Sequence, residues 1–142
     1  MSNETAIQED IIAFLDASFP EPLVEQAVPD SRTVRRNGAG DVDPYIAYSF
    51  GDLQQGRAYS MAGPRGDDYE MPIYTQVIAP NAAIARRLGN KLRDVLLGAG
   101  VPCSGSIRKR PDGGMFPLVA SNGATEAYIM PASFGVLIQF DQ

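Results

Sequence analysis

The stretch of residues 70–79 constrains the fold most, because its apolar side chains alternate along the chain and occupy both sides of that alternation. One side carries Met71, Ile73 and Val77, and the other carries Pro72, Tyr74 and Ile78. A period of two predicts a β-strand. A strand that is apolar on both sides is covered on both faces. Any fold for this chain must therefore pack other segments of the chain against each face of this strand.

Two segments have the periodicity of an amphipathic helix. The first spans residues 5–17. Its apolar stripe consists of Ile7, Ile11, Phe14 and Leu15. Thr5 with Gln8 matches a capping box, although Ser2 or Asn3 can equally cap this helix. The second spans residues 82–97 and follows Asn81, a good N-cap. Its stripe consists of Ile84, Leu88, Leu92, Val95 and Leu96.

Further strands are predicted on either side of the second helix. After Pro44, alternation predicts a strand through Phe50, and residues 115–120 and 124–130 have the pattern of a hairpin across a turn containing Gly123. The chain ends in another alternating stretch, residues 134–141. Residues 23–28 are ambiguous between a short strand and a helical turn. Residues 56–61 can extend the sheet.

Polar and glycine-rich segments separate these elements. Residues 29–43, 51–68 and 104–114 are predicted to be flexible, exposed loops. The order of helix, strands, helix and strands predicts an α+β fold: a single domain over residues 1–142, with a mostly antiparallel sheet of about four to six strands packed by two helices.

Composition excludes several classes of site. The chain has no histidine, and Cys103 is its one cysteine, so a Ser–His–Asp triad, a Cys–His pair, an intrachain disulfide and a thiolate zinc site are excluded. Neither a signal peptide nor a membrane-spanning segment is recognisable. We therefore expect a soluble cytosolic domain.

The remaining candidates for chemistry are weak. Asp41 and Asp43, or Asp67 with Asp68 and Glu70, can bind a hard cation or act as an acid–base pair, but no calcium-loop spacing surrounds either set.

The other local patterns are no stronger. Gly38 and Gly40 lack the third glycine of a dinucleotide loop. The Arg65-Gly66-Asp67 tripeptide recurs by chance, and Cys103 has no histidine to activate it. We expect no catalytic residue, no metal and no cofactor.

The choice of basic residue is more informative. Ten of the twelve basic residues are arginine, the exceptions being Lys91 and Lys109. Arginine makes bidentate contacts to carboxylates and is enriched at protein interfaces. Arginine-bearing loops alternate with acidic ones, and a ring of identical subunits needs two different complementary patches on each subunit. Ordinary surface charge explains the same residues equally well.

The order of these segments resembles the tail terminator proteins of long-tailed bacteriophages. The resemblance covers residues 5–140. It rests on a capped N-terminal helix, residues 44–48 before a long loop, residues 72–77 running into Asn81, an arginine-bearing helix and a closing antiparallel pair. It implies a hexameric ring in the virion that caps the head-proximal end of the tail tube, stops tube polymerisation and docks onto the head connector. DNA then passes through the ring without specific binding, which suits a formal net charge of −5.

The resemblance and the charged loops together suggest contacts for assembly. The first patch consists of Arg57, Tyr59, Arg65, Asp67 and Asp68, and the second consists of Arg108, Lys109 and Arg110. The expected partners are further copies of the chain, the tail tube protein and the connector. The alternatives are a head-completion or stopper protein of the connector, a small metal-dependent enzyme that uses the loop aspartates, and a monomeric ligand-binding module.

Overall fold

A computed structural model describes residues 4–55, 59–60, 63–64, 68–98 and 107–139. In chain order the elements are α1 (Glu4–Ser18), β1 (Leu23–Glu25), β2 (Tyr45–Phe50), β3 (Gln54–Gln55), β4 (Tyr59–Ser60), β5 (Gly63–Pro64), β6 (Asp68–Ala79), α2 (Ala82–Gly98), β7 (Ile107–Arg110), β8 (Phe116–Val119) and β9 (Thr125–Gln139). No helix among these is long and apolar enough to cross a membrane.

The sheet is built around β6 and β9, which pair antiparallel from Asp68 opposite Gln139 to Ala79 opposite Tyr128. Its strand order is β1-β2-β6-β9-β7, with β3 also paired to β6 and β8 also paired to β9. Within the described ranges, β1 with β2 is the one parallel pair. The α+β class and the mostly antiparallel sheet packed by two helices are therefore confirmed, with seven strands in this sheet. Strands β4 and β5 pair with each other separately.

One face of the sheet, the helix face, is covered by α1 and α2. Its buried core consists of Ile7, Ile11, Leu15, Phe19, Ile46, Met71, Ile73, Val77, Leu88, Leu92, Leu96, Ala132, Phe134 and Val136. The predicted stripes of both helices supply most of the helical members. Gly89 allows close approach, because a Cβ there would lie 2.9 Å from Cγ of Met130 on β9. This contact explains a glycine in a helix interior, where it costs about 1 kcal/mol relative to alanine.

The opposite face, the strap face, is covered at one end by residues 29–43, which we call the strap. Its buried core consists of Val34, Val42, Tyr45, Ala47, Ile78, Leu118, Ala127 and Ile129. The prediction that the strap is simply an exposed loop is wrong in this respect, because Val34 and Val42 are buried in it. The prediction that β6 is covered on both faces is confirmed at Met71, Ile73 and Ile78, whereas Tyr74 is exposed.

Several local predictions are corrected or resolved. Helix α1 begins at Glu4, so Thr5 lies within its first turn, and the alternative caps lie outside the described residues. The Asn81 cap is confirmed, since its Oδ1 accepts a hydrogen bond of 2.9 Å from the Ile84 amide. The ambiguous residues 23–28 contain the short strand β1. The predicted loop at 104–114 contains strand β7.

The two closing strands predicted from sequence form one continuous strand, β9, whose partner changes along its length. Residues 125–129 pair with β8 and residues 133–136 pair with β7. Pro131 lies between these two stretches, where a proline is tolerated because it removes no ladder hydrogen bond to an edge strand. The hairpin between β8 and β9 is confirmed, and Gly123 takes a positive φ of 86° in its turn.

Candidate functional site

Strand β7 brings together the three basic residues of the second predicted patch and separates them onto two faces. Arg108 lies opposite Gly135 and Arg110 lies opposite Ser133, both on the strap face. Lys109 lies opposite Phe134, a member of the helix-face core. Alternation along the strand makes this division unavoidable. The patch is therefore not one continuous cationic surface.

Both arginines reach the same carboxylate, that of Glu70 on β6. Arg108 Nη2 forms an ion pair with Glu70 Oε2, and Arg110 Nε lies 3.6 Å from Glu70 Oε1. Glu70 is only 8% exposed. A buried carboxylate requires this kind of compensation. The sequence suggested Glu70 as a metal ligand or acid–base group, and the structure places it between two guanidinium groups instead.

Gly135 makes the reach of Glu70 across the sheet possible. Glu70 and the arginines are on strands β6 and β7, with β9 between them. The carboxylate passes directly over Gly135, where an added Cβ would overlap Glu70 Oε1. A side chain at position 135 would therefore displace the carboxylate from its two partners.

Lys109 is held by a second carboxylate. Its Nζ forms an ion pair with Asp112, donates a hydrogen bond of 2.7 Å to the Arg110 carbonyl and lies 5.6 Å from the centre of the Phe134 ring. Asp112 Oδ2 also accepts a hydrogen bond of 3.0 Å from the Ser133 amide. Asp112 thus fastens the end of β7 to β9.

The charges on β7 are largely but not fully balanced within the described residues. Three cations face two carboxylates, which leaves one positive charge in excess. The Arg108 side chain is 61% exposed despite its ion pair. Nη1 of Arg110 is buried and has no hydrogen-bond acceptor within the described residues. Arg108 therefore has the most exposed side chain of this patch, and Lys109, at 35%, is also partly exposed.

A second polar cluster fastens the strap to β9. Arg36 Nη2 donates a 2.8 Å hydrogen bond to Glu126 Oε2 and a 2.9 Å bond to the Ser31 carbonyl. Ser31 Oγ also donates to Glu126 Oε2, at 3.1 Å. The hydrogen bond from Arg36, with that from Ser31, lowers the pKa of Glu126 below its ordinary value. Arg36, one of three arginines in the strap, therefore has a structural role.

Two tight turns shape the strap. Asp30 Oδ1 accepts hydrogen bonds from the amides of Arg32 and Thr33, at 2.8 and 3.0 Å, and these bonds lower the pKa of Asp30. Asn37 Oδ1 accepts bonds from the amides of Ala39 and Asp41, at 2.9 and 3.0 Å. Such side chain to main chain bonds are the usual chemistry of turns. They account for the polar residues Asp30 and Asn37 in the strap.

A small pocket lies where the strap meets the start of β2. It is lined by Pro22, Arg35, Arg36, Asn37, Asp43, Pro44 and Tyr45. The Tyr45 hydroxyl accepts a 3.1 Å hydrogen bond from the Arg35 amide and donates to Gln26 Oε1 at 3.3 Å. Burial raises the pKa of Tyr45. Its hydroxyl is thus a structural anchor for the strap.

The carboxylates suggested for metal binding are not gathered into a site in the described ranges. Asp43 Oδ2 accepts a 3.2 Å hydrogen bond from Asn37 Nδ2. No group of three or more cysteine, aspartate or glutamate residues suited to a metal ion occurs in the described part of the chain.

The first predicted patch is only partly described. Arg57, Arg65 and Asp67, like Cys103, lie outside the described residues. Tyr59 belongs to β4 and Asp68 begins β6. Sequence reasoning missed the pairing of Arg36 with Glu126 and the role of Gly135. The two-residue spacing of Arg108 and Arg110 is a signal that both would share one face of a strand.

Comparison with known proteins finds no matching family model and no matching curated protein.

Proposed function

We propose that the chain is a structural subunit that assembles with copies of itself into a ring, and that this ring caps the head-proximal end of a phage tail tube. In this role it stops tube growth, joins the tail to the head connector and catalyses no reaction. The net charge of −5 suits a channel through which DNA slides, because phosphate is repelled and not held.

The observation that carries the proposal is the charged strand β7 at one edge of the sheet. An edge strand exposes unpaired main-chain groups, and charged side chains on it block indiscriminate pairing with other chains. The same charges favour pairing with an edge of opposite sign. The exposed Arg108 side chain, held in place by Glu70, is suited to such a selective contact.

The order of elements also supports the proposal. Of the features behind the resemblance to tail terminators, the helices and strands are present as α1, β2, β6, α2 and the antiparallel strands that follow α2, while the cap of α1 and part of the long loop lie outside the described residues. Order alone defines no activity. The proposed function therefore has to be tested by measuring ring formation and tail tube length.

The test is to polymerise the tail tube subunit of the same phage with and without this chain and to image the products by electron microscopy. We expect tubes that carry a ring at one end and are shorter than those of the tube subunit alone. Rings that bind the head connector but leave tube length unchanged would indicate a head-completion or stopper protein. Tubes of unchanged length without rings, together with no binding to the connector, would overturn the proposal.

A further inference from the structure

The two edges of the main sheet differ in charge. On one side the sheet ends in β1, and on the other it ends in β7 and β8, which both pair with β9 on the side away from β6. In the described ranges neither β1 nor β7 has a further partner on its outer side. The charged residues of the segment itself are Glu21 and Glu25, because residues 19–28 contain no lysine or arginine. Cations of other elements lie beside it: Lys91 Nζ is 4.5 Å from the centre of the Phe19 ring, and Arg35 and Arg36 line a pocket with Pro22. We call residues 21–25 the acidic edge and β7 the basic edge.

The acidic edge offers main-chain groups as well as charge. The Pro22 carbonyl accepts a hydrogen bond from the Ile46 amide, and the Gln26 amide donates to the Tyr48 carbonyl. Main-chain groups of a strand alternate in direction, so the intervening Leu23 and Glu25 turn theirs away from β2. Glu25 is exposed. This edge can therefore both donate and accept main-chain hydrogen bonds.

The strand directions also match. Strand β1 is parallel to β2, and each of the steps from β2 to β6, β9 and β7 is antiparallel. It follows that β1 and β7 run in opposite directions. If a neighbouring copy is related by rotation about an axis along the strands, its β1 meets β7 antiparallel, which is the more stable arrangement per residue.

We infer that copies of this chain join edge to edge, with the acidic edge of one copy paired antiparallel to the basic edge of the next. Glu25 lies on the same face as Leu23, which packs against the helix-face core, and Lys109 lies on that face too. Across the strand registers Glu25 is level with Ala132 of β9 and Lys109 with Phe134, so Glu25 of one copy lies diagonally opposite Lys109 of its neighbour, within reach of two long side chains. A contact between two different edges closes into a ring when the rotation fits. The inference rests on the proposed function, whose subunit contact it specifies.

Zero-length carbodiimide cross-linking tests this pairing on the unmodified chain. The reagent joins a carboxylate to a lysine amine in direct contact, and the chain has only Lys91 and Lys109. Within one copy β1 and β7 are four strand spacings apart, about 19 Å, so a Glu25–Lys109 link can form only between copies. We expect this link in peptide mass spectra of the oligomer. Lys109→Arg keeps the charge but removes the amine, and should lose the link while still assembling.

Charge reversal provides the second test, measured by sedimentation velocity. Glu25→Lys should weaken assembly at least tenfold in concentration, and Glu25→Lys combined with Lys109→Glu should restore much of it. Glu9→Lys, an equal charge change on an exposed position of α1, should have no such effect. Circular dichroism of each variant confirms that it is folded.

The outcomes separate this inference from the proposed function. If the chain assembles but Glu25→Lys assembles equally well and the Glu25–Lys109 link is missing, the edge pairing is wrong and the ring proposal stands. Links confined to other lysine–carboxylate pairs between copies would also overturn the pairing. If the unmodified chain does not assemble at all, even with tube subunits present, both proposals fail.

Discussion

The two faces of the sheet are covered in different ways. On the helix face, two amphipathic helices cover a core of fourteen apolar residues, and the buried hydroxyl on that face of β6, that of Thr75, donates a hydrogen bond to the Ala132 carbonyl. On the strap face, an irregular segment contributes only Val34 and Val42 to a core of eight and is fastened by Arg36 and Glu126. Helical cover derives its stability mainly from apolar burial. The strap depends to a larger degree on hydrogen bonds and ionised groups.

Because of this difference, we expect the two faces to respond differently to pH and salt. Apolar burial involves no titrating group and is not screened by salt, whereas exposed ion pairs are screened by salt and lost when their carboxylates are protonated in acid. The far end of the strap face carries Glu70, Arg108 and Arg110 in place of an apolar core. We expect the helix face to maintain the fold and the strap face with its adjoining edge to respond to conditions and partners.

A matched pair of leucine substitutions tests the comparison most strongly. Leu92 on α2 is fully buried in the helix-face core, and Leu118 on β8 is 6% exposed in the strap-face core. Leucine to alanine in a core costs about 2–5 kcal/mol. We expect Leu92→Ala near the top of that range and Leu118→Ala near the bottom, because an edge strand relaxes more readily around a cavity. Equal losses in urea unfolding would show that the two faces are equally stabilising.

The next largest effect concerns the polar end of the strap face. Gly135→Ala places a methyl group where the Glu70 carboxylate lies, so the carboxylate must leave Arg108 and Arg110. We expect a loss of about 1–3 kcal/mol in the free energy of unfolding. In the Glu70→Ala background the same substitution should cost almost nothing. A full loss in that background would mean that Gly135 serves some other purpose.

The smallest effect is the acid response of the strap. Asp30 and Glu126 both have lowered pKa values, so their contribution is complete at neutral pH and is lost as the pH falls below the ordinary carboxyl range of about 4. Amide hydrogen exchange should rise in residues 30–43 at a higher pH than in α2. Glu126→Gln should reduce this difference. Simultaneous loss of protection in both regions would contradict it.

The sequence predicted the regular helices and strands, but it did not predict how the strap packs on the sheet. The stripe of α2, its Asn81 cap and the alternation in β6 are local patterns that determine local structure. The burial of Val34 and Val42 is not local. It depends on contacts such as Arg36 with Glu126, which lie 90 positions apart in the chain. No periodicity within a polar segment reports such a contact.

The structure of the candidate site likewise depends on residues that are distant in the sequence. Three consecutive basic residues at 108–110 are typical of a loop, yet they form a strand. They do so because Glu70, 38 positions earlier, and Asp112 neutralise most of their charge in the fold. The acidic residues at the opposite edge gain significance only once the strand order is known. The number of arginines in the sequence drew attention to β7, but it could not show that the glutamates near β1 lie at the opposite edge of the same sheet.

Closure of copies of this chain into a ring through two complementary edges can be measured by sedimentation velocity of the unmodified chain over a wide concentration range. We expect a shift from one copy to a single larger species whose mass stops increasing, as a closed ring requires. One copy at every concentration, or growth without limit, would contradict it.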